Sequence, residues 1–181
     1  MRKFLTILFL IPILVFGQNH LKFLDIPING SIESFSKQLE NKGLDKVYET
    51  IFIGSFGEYN DALFFITENE KTKNVCEVCV YFYFSDSFSD LIWNYEQIKK
   101  VLSKKYGTKY NEVNNFTEYK HQSGKENLER FKEGSYKIFC QWELNNGLIE
   151  LGFNLLEEDE MYIAILYRDF ANYKSKNDSD F

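Results

Sequence analysis

This chain is poor in the residues from which chemical sites are usually built. It has two histidines, three cysteines and two prolines among 181 residues. His20 and His121 stand far apart without companions of ligand type, so a zinc centre lacks its donors. Three cysteines are too few for a disulfide scaffold, and the odd count leaves at least one thiol unpaired within a monomer. Two prolines exclude a proline-rich linker. Basic side chains are in deficit as well, 21 Lys and Arg against 27 Asp and Glu, for a net charge of −6. No basic cluster interleaved with aromatics offsets that balance, so nucleic acid is not expected as a partner. There is no G-x-S-x-G, no H-E-x-x-H and no Gly-rich phosphate loop. No catalytic residue, metal ligand or cofactor is assigned.

Long apolar runs are also missing, except at the start. Met1-Arg2-Lys3 is a short cationic opening, followed by an apolar run from Phe4 to Phe16 broken only by Thr6 and Pro12. Val15 and Gly17 occupy the −3 and −1 positions of a cut before Gln18, which is the three-part layout of a secretory signal peptide. The run falls short of the roughly 20 residues a membrane-crossing helix needs. Residues 1–17 are therefore read as a signal peptide, with no integral anchor after processing and a periplasmic or secreted destination. Losing Arg2 and Lys3 leaves 19 basic against 27 acidic side chains, a mature charge of −8.

What is abundant is aromatic: 18 Phe and 12 Tyr in a chain that is 44% hydrophobic. Such composition favours an ordered, sheet-rich globule. Ser31 to Lys42 reads as a helix with Ile32, Phe35 and Leu39 on one face, capped by Ser31 and closed by Gly43. Lys46–Ile53, Tyr59–Thr67 and Val75–Phe84 read as strands, joined by Gly54-Ser55-Phe56-Gly57 and by the loop Asn69–Asn74. Leu91 to Tyr106 reads as a second helix, with Lys104 and Lys105 in its last turn and Gly107 after it.

The theme then recurs. An insertion after Gly107 holds a strand near Tyr110–Tyr119 and a short helix around Glu126–Glu133. Tyr136–Leu144, Leu148–Leu156 and Met161–Arg168 follow as strands, with Asn146-Gly147 as a hairpin turn and Glu157–Glu160 as an acidic corner. The expected fold is α+β: two helix-plus-antiparallel-meander units, α-β-β-β repeated with an insertion in the second, helices on one face of the sheets. Residues 18–171 form one domain, divisible into subdomains 24–86 and 87–171, and residues 172–181 are expected to be a frayed polar tail.

The run from His20 to Phe35, with Leu39, Lys42-Gly43, Leu102, Lys105-Tyr106-Gly107 and the Asn146-Gly147 hairpin before Ile149, resembles small uncharacterised secreted proteins common in Bacteroidota. That resemblance implies no activity. In topology alone, the doubled helix-plus-meander is similar to the β-lactamase inhibitory protein fold, which implies binding of protein partners across an exposed concave sheet.

Cys76-Glu77-Val78-Cys79 has redox spacing but lies in a strand, where residues three apart are separated by about 10 Å and face opposite ways. Cys76 is read as core with Val78, Val80 and Phe82, and Cys79 shares the other face with Glu77, Tyr81 and Tyr83. Cys140 falls on a buried face, where a bridge to Cys76 competes with buried free thiols. Gln18-Asn19-His20 would offer Cu²⁺ or Ni²⁺ an amine, two amides and an imidazole, unless the terminal Gln cyclises. Asp86–Asp90 and Glu157–Glu160 lack calcium-loop spacing, and Asn115-Phe-Thr117 matches a glycosylation sequon. Tyr81, Tyr83 and Glu77 are the candidate binding residues, since tyrosine joins apolar area to a polar tip. The expected function is a non-enzymatic binding or protein-interaction module of the cell envelope. The alternative is a carboxylate-dependent hydrolase of envelope glycans.

Overall fold

In the computed structural model, residues 19–83, 87–114, 126, 129–131, 133, 138–155 and 161–173 are described. The expected signal segment 1–17, the sequon, His121, the acidic corner Glu157–Glu160 and residues 174–181 lie outside them. The elements in order are β1 (Lys22–Phe23), β2 (Ile26–Pro27), α1 (Ile32–Asn41), β3 (Asp45–Tyr48), β4 (Ile51–Phe56), β5 (Tyr59–Glu68) and β6 (Val75–Tyr83). Then come α2 (Phe88–Tyr106), β7 (Asn111–Asn114), β8 (Ile138–Leu144), β9 (Gly147–Leu155), β10 (Met161–Asp169) and α3 (Phe170–Tyr173).

Both long helices begin and end as their caps dictate. The Ser31 hydroxyl accepts from the Ser34 N–H at 3.3 Å, and Gly43 follows α1 at φ +89°. Ser87 caps α2 in the same way by accepting from the Asp90 N–H, so α2 starts at Phe88, one turn before the apolar periodicity suggests. Phe88, Leu91, Tyr95, Ile98 and Leu102 form its buried stripe at helical spacing.

The fold is α+β, and each unit is a helix followed by a four-stranded meander. Eight strands form one continuous antiparallel sheet in the order β3-β4-β5-β6-β10-β9-β8-β7. The last strands of the two meanders, β6 and β10, join at the centre. The second unit has its expected strands, β7 standing within the strand read near Tyr110–Tyr119, whereas the first unit has four strands where three were expected. Lys46–Ile53 is not one strand: the chain reverses at Glu49-Thr50, with Tyr48 opposite Ile51. Nor is Gly54 to Gly57 a connection; β4 runs through Phe56 and turns at Gly57-Glu58.

Strand alternation sorts the side chains. Phe52, Phe64, Val78, Val80, Phe82, Ile163, Ile165, Leu151, Ile149, Cys140 and Trp142 are buried on the face that packs with α1 and α2. The short β1–β2 ribbon closes the same core, a role the sequence pattern did not signal. Phe23 is 1% exposed, lies stacked on Phe56 and meets the edges of Phe64 and Tyr167. Burying an aromatic ring of that size contributes about 2–3 kcal/mol.

Two further corrections concern the second unit. The β8–β9 turn is Asn145-Asn146, and neither residue has positive φ; Gly147 pairs with Leu144 as the first residue of β9. Glycine is required there by close approach, because a Cβ would stand 2.4 Å from the Arg168 carbonyl oxygen. The other correction moves Asn172 and Tyr173 out of the expected tail and into α3, where Asn172 is 5% exposed.

Asn172 belongs to a buried polar latch. The Asp169 carboxylate, fully buried, accepts from the Leu21 N–H at 2.7 Å, from the Asn172 N–H at 2.9 Å, and faces His20 Nδ1 at 3.1 Å. Asn172 Nδ2 reaches the Ile28 carbonyl, the Val75 carbonyl and Asn29 Oδ1, while its own carbonyl accepts from Asn69 Nδ2 at 2.7 Å. The latch satisfies backbone groups of four segments where no sheet ladder reaches them. Asn172→Ala strands two buried carbonyls, and each unsatisfied group costs about 1–3 kcal/mol. The expected loss is on the order of 3 kcal/mol in chemical denaturation, and a loss below about 0.5 kcal/mol would refute the latch.

Candidate functional site

Register across the sheet determines what shares the face away from the helices. Ile53, Leu63, Tyr81, Ala164, Gly152 and Phe139 form one transverse row, through successive pairings of β4, β5, β6, β10, β9 and β8. The next row runs Ile51, Phe65, Cys79, Leu166, Glu150, Gln141. A third holds Thr67, Glu77, Arg168, Leu148 and Glu143. The first two rows are mainly apolar at the first meander and the seam, which is unusual for a face turned away from both long helices. Leu63 is 38% exposed, and Phe65, Tyr81, Leu166 and Phe139 are half-buried by their neighbours on the sheet.

Tyr81 lies in the middle of this face as strand alternation predicts. Its ring meets Phe65 and Tyr162 edge-on, each at 4.9 Å between centroids. Those two partners were not foreseen, because they come from strands distant in sequence. Burial, then the adjoining Cys79 thiol, pushes the Tyr81 hydroxyl well above its ordinary value, so it stays a neutral donor. Tyr83 is the last residue of β6, opposite Tyr162; its side chain lies outside the described set. Glu77 is on the same face and paired with Arg168, whose guanidinium stacks 4.2 Å from the Tyr173 ring centroid. The structure thus brings Tyr81 and Glu77 to one surface and adds Phe65, Leu63, Leu166 and Arg168 to them, with Tyr162 buried beneath at 7% exposed.

The margins are acidic. By register Asp45, Glu143 and Glu150 face the same way as Glu77, against Arg168 as the one strand cation there among the described residues. Glu150 accepts from Gln141 Nε2. The helix side carries its own ion pairs: Lys99 bridges Glu96 and Glu112, both at 2.9 Å. Burial works against the Lys99 charge, but those hydrogen bonds outweigh it and hold the ammonium up to about 12.

The cysteines are free. Cys76 and Cys140 are buried in the core, and Cys79 sits half-buried beside Tyr81 on the open face. Burial, opposed by the Tyr81 hydroxyl and reinforced by Glu77 and Glu150, pushes the Cys79 thiol up to about 11. Burial does the same to Cys140, again to about 11. Its neighbour Tyr95 has a buried hydroxyl without a hydrogen-bond partner of good geometry, and burial, then the Cys140 thiol, pushes that hydroxyl well above its ordinary value. Both shifts keep Cys79 and Cys140 as protonated thiols near neutral pH. Among the described residues no three His, Cys, Asp or Glu side chains group to hold a metal. His20 Nδ1, the ring atom a terminal copper motif employs, faces Asp169. No described helix is long and apolar enough to cross a membrane. No protein family, curated protein or solved structure matches this chain.

The thiols give a two-part prediction. Cys79 in the folded protein should alkylate roughly a hundredfold more slowly at pH 8 than the same residue in urea, from its raised pKa alone. Peptide mapping reads this; alkylation of native Cys79 at the unfolded rate would contradict it. Because the folded thiols hold their protons more tightly than the unfolded chain, the stability they contribute is full below pH 9.0 and is lost as pH rises toward about 11. Urea midpoints should therefore fall across that window, and flat midpoints would exclude the shifts.

Proposed function

We propose that the protein is an exported, non-enzymatic binding module that engages a protein partner through the open face of its sheet. The observation that supports this most strongly is the apolar band of Ile53, Leu63, Phe65, Tyr81, Leu166 and Phe139 on the face opposite α1 and α2. Apolar area at the centre with a polar margin is the anatomy of a recognition surface, and tyrosine is enriched in such centres. Carboxylates outnumber cations at this margin and in the whole chain, whose net charge is −6. The complementary partner therefore presents an apolar patch ringed by Lys and Arg. The topological similarity to the β-lactamase inhibitory protein fold points the same way, as analogy. The signal-like opening supports an encounter in the periplasm or outside the cell.

Glu77 contributes through its pair with Arg168, which fixes both side chains beside the band before any partner arrives. A preordered rim costs less side-chain entropy on association. Tyr81 contributes ring area and a hydroxyl that remains protonated at any physiological pH.

The test uses three variants and a partner captured from envelope extract on the immobilised protein. Leu63→Ser, at a position 38% exposed, should leave the melting temperature nearly unchanged and weaken capture at least tenfold. Tyr81→Ala should do the same to capture while costing on the order of 1–2 kcal/mol of stability, from the two ring contacts it loses. Phe82→Ala, 2% exposed on the opposite face, should cost about 3–5 kcal/mol. Capture that survives Leu63→Ser and Tyr81→Ala undiminished would overturn the reading.

A further inference from the structure

At one corner of the sheet, away from the apolar band, the open face ends in a cleft of about 610 Å³. Its walls come from the approach to β7, the end of β8, the β8–β9 turn and the first residue of α3. The volume falls within the range of small-molecule sites, but the lining does not resemble the apolar lining those sites usually have. Asn111, Gln141, Asn145 and Glu143 line it, and the Gln141 amide nitrogen already donates to Glu150. Asn111, Asn145 and Glu143 are exposed to solvent, so their polar groups are within reach of a ligand.

We infer that this cleft binds a neutral saccharide. Three features of its chemistry select that class. The Asn111 and Asn145 amides each carry both donors and an acceptor on one planar group, and Gln141 adds its amide oxygen beside the bond it makes to Glu150, which matches neighbouring hydroxyls that also donate and accept. The formal charge of the lining cancels, Lys109 against Glu143. A phosphate or sulfate ligand needs several cations or an arginine fork, and a bound cation needs clustered carboxylates; the cleft has neither. The third feature is aromatic: Tyr110 and Phe170, both half-buried, border the cleft. Rings so placed accept the C–H face of a pyranose while the amides take its hydroxyls. Tyr110 is held by Trp142, 5.3 Å away between ring centroids. The Trp142 indole N–H is in turn fixed on the Gly107 carbonyl at 3.0 Å. The stacking platform is therefore set before a ligand enters, which lowers the ordering cost of binding.

Trp142 also supplies the readout. Among the two tryptophans, its indole lies behind the platform, whereas Trp93 is 62% exposed on α2 and serves as the internal control. The folded chain is titrated with cellotriose, chitotriose and maltotriose, and the indole and backbone amide NMR signals are followed. At least one trisaccharide should bind with a Kd of about 1 mM or tighter, shifting Trp142, Asn111 and Asn145 and leaving the Trp93 indole in place. Glu143→Ala, at an exposed strand position, should keep the fold and weaken that binding roughly tenfold. Tyr110→Ala should abolish it; if that variant does not fold, Asn145→Ala in the turn should weaken binding several-fold in its place. The absence of shifts with all three sugars would overturn the inference. So would the same shifts produced by tetraglycine, which would make the cleft a peptide site, or binding unaffected by Glu143→Ala and Asn145→Ala.

Discussion

The structure depends on the register between β6 and β10. Seven consecutive residue pairs, from Tyr83 opposite Tyr162 to Glu77 opposite Arg168, lock the last strand of each meander to the other. Side chains alternate along both strands, so this register assigns every neighbour to one face or the other. Val78, Val80 and Phe82 meet Tyr167, Ile165 and Ile163 under the helices, and Glu77, Cys79 and Tyr81 meet Arg168, Leu166 and Ala164 on the open side. A slip of one residue would exchange the two sets and bring Glu77 and Arg168 into the core. The same seam turns two marginal meanders into one eight-stranded sheet. The latch of Asp169 and Asn172 then ties the N-terminal ribbon to the end of β10, closing the core at the seam's lower end.

Local signals in the sequence were sufficient wherever a segment's partner was itself. Both long helices, the Ser31 cap, the glycine stops, and strands β5, β6, β8, β9 and β10 follow from periodicity and punctuation, whereas the Ser87 cap and the first turn of α2 do not. The reversal at Glu49-Thr50 was hidden because neither residue is a turn former and β-branched or aromatic residues flank it on both sides. Gly54-Ser55-Phe56-Gly57 misled in the opposite sense. It carries turn residues inside a strand, where Gly54 lets Leu44 pack closely against the backbone. The latch was invisible for a different reason. Asp169 bonds to Leu21 across 148 residues, and nothing in a polar side chain at a strand end reveals a partner so remote.

The candidate site divides along the same line. Alternation within β6 was enough to put Glu77, Cys79 and Tyr81 on one face. It could not supply Phe65, Leu63, Tyr162, Leu166 or Arg168, because these become neighbours only through pairing between strands. The polar cleft needs the turn after β8, the approach to β7 and the start of α3 together, and no local pattern announces that convergence. Reading C-x-x-C by strand geometry rather than by motif gave the right placement: two thiols on opposite faces, one buried in the core and one on the open side.

In this account, the apolar band stays uncovered in the free protein and is covered by a partner. Carbene footprinting with residue-level mass spectrometry measures that directly. The account predicts strong labelling of Leu63, Phe65, Leu166 and Phe139 in the free monomer and its loss in the complex, with Trp93 and Val101 on the outer face of α2 labelled equally in both. Weak labelling of the band in the free monomer, or labelling that persists in the complex, would contradict it.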